Sequence, residues 1–377
     1  MAPAALSLHH LSKTSQARPL AAMRLPAGQA VSRAIGFCLP GWMVFMFVTL
    51  ALFFLSAGAI YVACEYFVNG VEWLGRRLNL GATAIGSVLA ALGTALPECA
   101  VTLMAVAFGS TPEQKSLGVG SAMGGPLVLA TLAYAVVGLA LLLNRKRLGR
   151  SSGQTQADHA GLSRDQAVFF GVFALKVGLG LFAFAIKPWL GLAFLAAYVV
   201  YVWREIRDAE TAPDEEELEP LKIRPSAGES SLGWPILQTL LALIVIGLAS
   251  HTFVGQLEAI GLAMGWSPHL TALLLSPVAT ELPEIMNALI WVRQGKERLA
   301  LANISGSMMI QATIPSALGL IFTPWLLDGP LLVAGAVTAL AVAFLWFNFR
   351  RGAVDGRALV MVGGLYGVFA WAIVACF

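Results

Sequence analysis

Thr94-Ala95-Leu96-Pro97-Glu98 and Thr280-Glu281-Leu282-Pro283-Glu284 differ at a single position, and both stand inside long apolar segments. Each brings a hydroxyl, a proline and a carboxylate close together. Proline removes a backbone donor and clashes with the preceding turn, so a helix kinks or breaks there. At membrane depth such freed carbonyls are tolerated only where they face protein or a cavity. Carbonyl, hydroxyl and carboxylate oxygens are the ligands that hard cations such as Ca²⁺ prefer. A carboxylate inside a bilayer is costly and is read as functional by default. Softer chemistry has no motif. Cys38, Cys64, Cys99 and Cys376 are scattered with no CxxC spacing, which argues against a disulfide framework or zinc site. His-Glu-x-x-His is absent, no Gly-x-Ser-x-Gly lies within an apolar segment, and among the histidines His251 alone lies in the interior of an apolar segment. The chain therefore reads as a carrier and not an enzyme, with cations as cargo and no cofactor.

The two clusters belong to a longer repeat. A constant shift of 186 residues carries Thr94 onto Thr280, Glu98 onto Glu284, Gly120-Ser121 onto Gly306-Ser307 and Glu72 onto Glu258. A fixed period of this kind marks internal duplication. Five apolar segments separate equivalent positions. Five is odd, so the two halves face opposite ways, an architecture shared by many secondary transporters.

The elements that must position these groups are membrane helices. Of 377 residues, 58% are hydrophobic and 12% charged. A soluble domain is about a quarter charged. Ten apolar spans are expected near 43–68, 82–108, 117–143, 166–186, 188–203, 234–262, 268–292, 299–323, 327–349 and 356–376. Each approaches the roughly 20 residues a bilayer requires. The expected fold class is an all-α membrane protein of about ten transmembrane helices, arranged as two inverted five-helix repeats. Residues 1–40 read as a basic, acid-free tail or targeting segment, 41–203 as the first repeat, 204–232 as an acidic linker and 233–377 as the second repeat. The linker, with Asp214 to Glu217 at its centre, reads as solvated and disordered. Arg and Lys concentrate on one side, in the loops holding Arg145 to Arg150, Arg204 to Arg224, Arg293 to Arg298 and Arg350 to Arg357. The positive-inside rule places that side, and the linker, in the cytoplasm, with both termini outside. The expected location is a bacterial inner (plasma) membrane, as a multi-pass protein whose partners are lipid and inorganic cations. A net charge of +3 gives no case for nucleic acid.

At the duplicated motifs the sequence resembles the cation/calcium exchanger superfamily, the sodium/calcium exchanger membrane-region family. Its repeats read Gly-Thr-Ser-Leu-Pro-Glu, then Gly-Asn-x-x-Gly-Ser-Asn. Here they read Gly93-Thr94-Ala95-Leu96-Pro97-Glu98 and Ala279-Thr280-Glu281-Leu282-Pro283-Glu284. The resemblance implies a mid-membrane site between the second, third, seventh and eighth helices, and antiport by alternating access. It implies Ca²⁺, or a related cation, exchanged for Na⁺ or H⁺. It assigns Glu98 and Glu284 as the central carboxylates and metal ligands, Thr94 and Thr280 as oxygen donors, Ser121 and Ser307 as third- and eighth-helix ligands, and the carbonyls of Ala91 and Pro277 as further donors. Departures from the pattern are local. Ala95 and Glu281 replace the family's serine, Gly125 and Gln311 stand where Asn or Asp is usual, and Ser116-Leu117 and Ala302-Asn303 replace Gly-Asn. The site loses a hydroxyl and gains a third carboxylate, Glu281, which either joins the cation ligands or turns towards Lys176 or an interfacial water.

Lys176 is expected near the middle of the fourth span, as an internal counter-ion or a strained snorkel. Glu65, Glu72, His251 and Glu258 fall in the first helix of each half, with packing or interfacial roles expected. Gly120-x-x-x-Gly124 suits a close helix contact. A cation channel, or a monovalent Na⁺/H⁺-type exchanger on the same scaffold, is the alternative reading. The sequence leaves the oligomeric state open.

Overall fold

The computed structural model describes residues 41–77, 82–146, 155, 157–182, 186–209, 219–225, 232–352 and 354–376. The tail expected over 1–40 lies outside them. The regular elements are helices: α1 (Gly41–Arg77), α2 (Ala82–Ala107), α3 (Pro112–Val128), α4 (Tyr134–Asn144), α5 (His159–Leu179), α6 (Lys187–Ala209), α7 (Gly233–Met264), α8 (Pro268–Thr280), α9 (Leu282–Arg293), α10 (Glu297–Phe322), α11 (Gly329–Arg350) and α12 (Gly356–Cys376). Among the described residues, six spans are long and apolar enough to cross a membrane, α3 and α4 counting as one. The pair α8 and α9, bent by 40° at its junction, makes a seventh.

Local sequence explains where these helices start, bend and stop. Thr111, Ser267 and Asp328 cap α3, α8 and α11 by accepting a backbone N–H, and a proline opens each helix. A π-helical turn at Leu129–Ala133 joins α3 to α4. Just before it Pro126 deletes the N–H that the Ala122 carbonyl would accept, while the Thr131 hydroxyl bonds back to the Leu127 carbonyl at 2.5 Å. The two motif prolines behave differently. The chain breaks at Glu281 between α8 and α9, whereas α2 stays helical through Pro97, so of the two motifs only the second breaks its helix.

The core has two parts. One gathers α1, the second half of α2 and α7 around Phe53, Val101, Phe253 and Leu257. The other gathers α3 to α5 and α9 to α12 around Met123, Phe173, Met308 and Leu345. Between them α3 lies directly on α8. A Cβ at Gly120 would stand 2.6 Å from the His269 carbonyl, and one at Gly124 2.8 Å from Pro277 Cγ. Only glycine permits this approach, as the Gly-x-x-x-Gly spacing suggested.

Two expectations need correction. The acidic linker is not solvated throughout. Helix α6 continues to Ala209, and residues 219–225 are strapped across α1 and α7. The Glu219 carbonyl accepts from Trp73 Nε1 at 3.0 Å and Asn69 Nδ2 at 3.3 Å. The Lys222 N–H donates to Asn69 Oδ1, the Ile223 N–H donates to Gln238 Oε1, and Leu221 is buried. The strap's own backbone groups hold it, which composition does not register. Secondly, α5 starts and ends several residues earlier than expected, so Lys176 sits in its last turn and not at mid-helix. Gly178 and Gly180 favour that early stop. The Gly180 N–H closes back onto the Lys176 and Val177 carbonyls.

Candidate cation-binding site

Glu98, on α2, is wholly buried in a ring of hydroxyls. Its Oε1 accepts from Ser121 Oγ of α3 at 2.6 Å and from Thr102 Oγ1, one turn along α2, at 3.4 Å. Its Oε2 accepts from Thr280 Oγ1 of α8 at 2.7 Å. The Thr280 hydroxyl also lies 3.2 Å from Glu281 Oε1 and 3.1 Å from the Ser276 carbonyl. It has one proton for three acceptors, so its orientation can switch as charge in the site changes. Ser276 Oγ in turn stands 2.6 Å from Ser121 Oγ. Residues from the two halves of the chain thus share one polar cluster.

Glu281 is wholly buried and directed into this cluster. Gln311 Nε2 of α10 donates to both of its carboxylate oxygens, at 2.9 and 2.8 Å. Lys176, the other partner considered, bonds elsewhere: its Nζ donates to the Ala122 carbonyl at 2.9 Å. The sequence departures fit one another in space. A Cβ at Gly125 would stand 2.6 Å from Gln311 Oε1 and 3.0 Å from Glu281 Oε1. Ala95 and Gly125 are small at the positions whose repeat partners, Glu281 and Gln311, are long. One half of the chain leaves the space that the other half fills.

Glu284 on α9 and Ser307 on α10 are wholly buried. The Pro277 carbonyl accepts the Glu281 N–H at 2.9 Å, so it takes part in closing α8. Ala91 and Thr94 lie on α2, but their side chains, like that of Glu72, fall outside the described residues. Among the described residues, no three His, Cys, Asp or Glu side chains gather closely enough to hold an ion by themselves. An ion here needs hydroxyl, amide and carbonyl oxygens beside the carboxylates. Ser276 and Thr102 escaped the sequence reading because their repeat partners are Ala90 and Ala288. A search for duplicated polar residues has no signal at either.

Two of the remaining ionisable candidates tie elements together. Glu258 of α7 accepts from Thr111 Oγ1 at 3.1 Å and Gln114 Nε2 at 2.7 Å, tying α7 to the start of α3. Glu65 pairs with Lys222 of the strap at 3.1 Å. His251 is exposed. Cys64 and Cys99 are free thiols.

The sodium/calcium exchanger protein family matches residues 48–207 and 234–375, on either side of the acidic linker. The inner membrane protein YrbG of Escherichia coli is 25% identical over 330 residues, covering 85% of this chain and 95% of its own. The crystal structure of the H⁺/Ca²⁺ exchanger CAX superposes with a TM-score of 0.66 at 18% identity, covering 92% of this chain and 85% of that one. A structure of the sodium-calcium exchanger NCX_Mj gives 0.56 at 19% identity, covering 88% of this chain and 100% of that one. The likeness extends over the whole helical fold, and with the apolar spans it makes the chain a multi-pass integral membrane protein. By the extent of the family match, the chain belongs to the sodium/calcium exchanger protein family.

Proposed function

We propose that the protein is a secondary active antiporter that exchanges Ca²⁺, or a related cation, for H⁺ or Na⁺ by alternating access. In this reading α1, α2, α3 with α4, α5, α6, α7, α8 with α9, α10, α11 and α12 are ten spans, forming two inverted five-helix repeats. The cation ligands are drawn from Glu98, Glu284, Glu281, Thr94, Thr280, Ser121, Ser307 and Gln311, with the carbonyls of Ala91 and Pro277 beside them. The observation that carries the reading is the buried oxygen cluster in which Thr280 bridges Glu98 and Glu281. Carboxylates held this close cannot all remain charged at little cost once a metal leaves. Departure of Ca²⁺ must therefore be matched by arrival of other cations. Protons are favoured over Na⁺, because Ala95 and Gly125 remove oxygens that several Na⁺ ions would need and Glu281 adds a group that accepts a proton.

The test is ⁴⁵Ca²⁺ uptake into proteoliposomes under an imposed outward H⁺ or Na⁺ gradient. Uptake driven by one of these gradients, and saturating with Ca²⁺, is expected. Uptake indifferent to every gradient overturns the exchanger reading. Flux that does not saturate and needs no counter-ion identifies a channel.

A further inference from the structure

Lys176 is a buried cation that the exchange scheme does not use. It is wholly buried in the last turn of α5. Its Nζ donates to the Ala122 carbonyl and lies 4.9 Å from the centre of the Phe173 ring. Ala122 follows Ser121, whose hydroxyl bonds Glu98 at 2.6 Å, so one residue of α3 separates the ammonium's anchor from the carboxylate's. The carbonyl is available because Pro126, four residues on, has no N–H to offer it. Any neutral donor would satisfy that carbonyl, and a buried ammonium is an expensive way to do so unless nearby anions compensate its charge.

The position is also fixed from behind. Trp325 Nε1 donates to the Lys176 carbonyl at 3.0 Å. Trp325 is fully buried and has φ 49°, a left-handed conformation that is unfavourable for a tryptophan. Its ring occupies the space over Gly319, where a Cβ would collide with it. Backbone, ammonium and stem are thus all held in place. Val362, the repeat partner of Lys176, is apolar, so the charge stands on one side of the site only.

We propose that the Lys176 ammonium is a fixed cation of the transport site, offsetting one carboxylate charge, so that the occupied site holds one positive charge fewer than its carboxylates alone would bind. This rests on the exchanger reading above. Lys176→Gln separates charge from hydrogen bonding, since the amide still serves the Ala122 carbonyl. Removing a unit charge anchored one residue along α3 from the Ser121 that holds Glu98 is expected to tighten ⁴⁵Ca²⁺ binding by about tenfold or more, at the effective dielectric typical of protein sites. Lys176→Arg is expected to keep the wild-type affinity. A monodisperse Lys176→Gln protein with wild-type ⁴⁵Ca²⁺ affinity overturns the proposal and leaves Lys176 a structural donor. Thermal stability gives a readout independent of the ligand. Lys176→Gln is expected to lower Tm, and adding Glu98→Gln is expected to restore part of the loss by removing the carboxylate left without its offset. Strictly additive Tm changes overturn the charge pairing. Should the wild type bind no cation, the exchanger reading fails, while the Tm cycle still decides whether the two charges are coupled.

Discussion

Gly125→Ala adds one methyl group where the structure leaves room for none. The new Cβ would stand 2.6 Å from Gln311 Oε1, and ordinary contact starts at 3.4 Å, so the amide must retreat by roughly 0.8 Å. Gln311 is wholly buried, and its Nε2 holds both oxygens of Glu281. Retreat therefore strains or breaks that bond. Overpacking costs about 1–3 kcal/mol, and a hydrogen bond to a charged group contributes about 1.5–3 kcal/mol. The helix itself gains about 1 kcal/mol from replacing glycine by alanine. The balance is a loss of about 1.5–5 kcal/mol in stability and a shift of roughly tenfold or more in cation affinity, since about 1.4 kcal/mol is a factor of ten. The measurements are Tm in detergent and the ⁴⁵Ca²⁺ concentration dependence of gradient-driven uptake. Gly125→Ala/Gln311→Ala relieves the collision, so its Tm loss is expected to fall short of the sum of the single losses by at least 0.5 kcal/mol, within the range seen for residues in contact. Wild-type Tm and affinity in Gly125→Ala, or additivity in the double variant, would refute the packing of Gln311 and Glu281 against this glycine.

Other outcomes follow from the same geometry. Glu98→Gln and Glu284→Gln preserve shape but remove an anion from the site, and each is expected to abolish ⁴⁵Ca²⁺ uptake at normal expression; full transport by either removes that residue from the cation ligands. Glu281→Ser restores the family residue, and H⁺-driven uptake is expected to fall relative to Na⁺-driven uptake; an unchanged ratio at every pH excludes Glu281 from coupling. At the start of α11, burial tends to raise the Asp328 carboxyl, but the hydrogen bond and charge of His269 in the first turn of α8, 2.8 Å away, together with the Leu331 N–H, hold it below its usual value. A lowered folded-state pKa gives stability that is present above the unfolded value and lost as pH falls through the folded one. Asp328→Asn is therefore expected to lower Tm at neutral pH and flatten the decline on the acid side, and an acid limb of unchanged steepness counts against the pair.

Duplication made the centre of the site legible. Thr280, Glu98 and Ser121 meet as the repeated motif suggested, because a residue type kept in both halves stands out against an apolar background. What duplication does not repeat was harder to read. Ser276 and Thr102 face alanines in the other half, and nothing local distinguishes them from other hydroxyls on apolar helices. Glu281 was visible as an extra carboxylate, but its partner follows from the shape of Gly125 against Gln311, which no linear spacing encodes. Lys176 was placed wrongly because hydropathy continues past Gly180 after the helix has ended. The strap was missed because composition sees acidic residues, whereas main-chain carbonyls and N–H groups attach it.

That strap has a mechanical consequence. Asn69 and Trp73 on α1 and Gln238 on α7 grip the same few residues, and Gln238 Nε2 also reaches Asn69 Oδ1 at 2.9 Å and the Tyr66 carbonyl at 2.7 Å. At the same end a Cβ on Gly70 would meet Thr239 Oγ1 at 2.5 Å, so the two helices nearly touch. Sliding one past the other would sever these bonds together. The strap is a yoke: α1 and α7 can travel only in lockstep at this end, and any pull on the acidic segment before Glu219 is delivered to both at once.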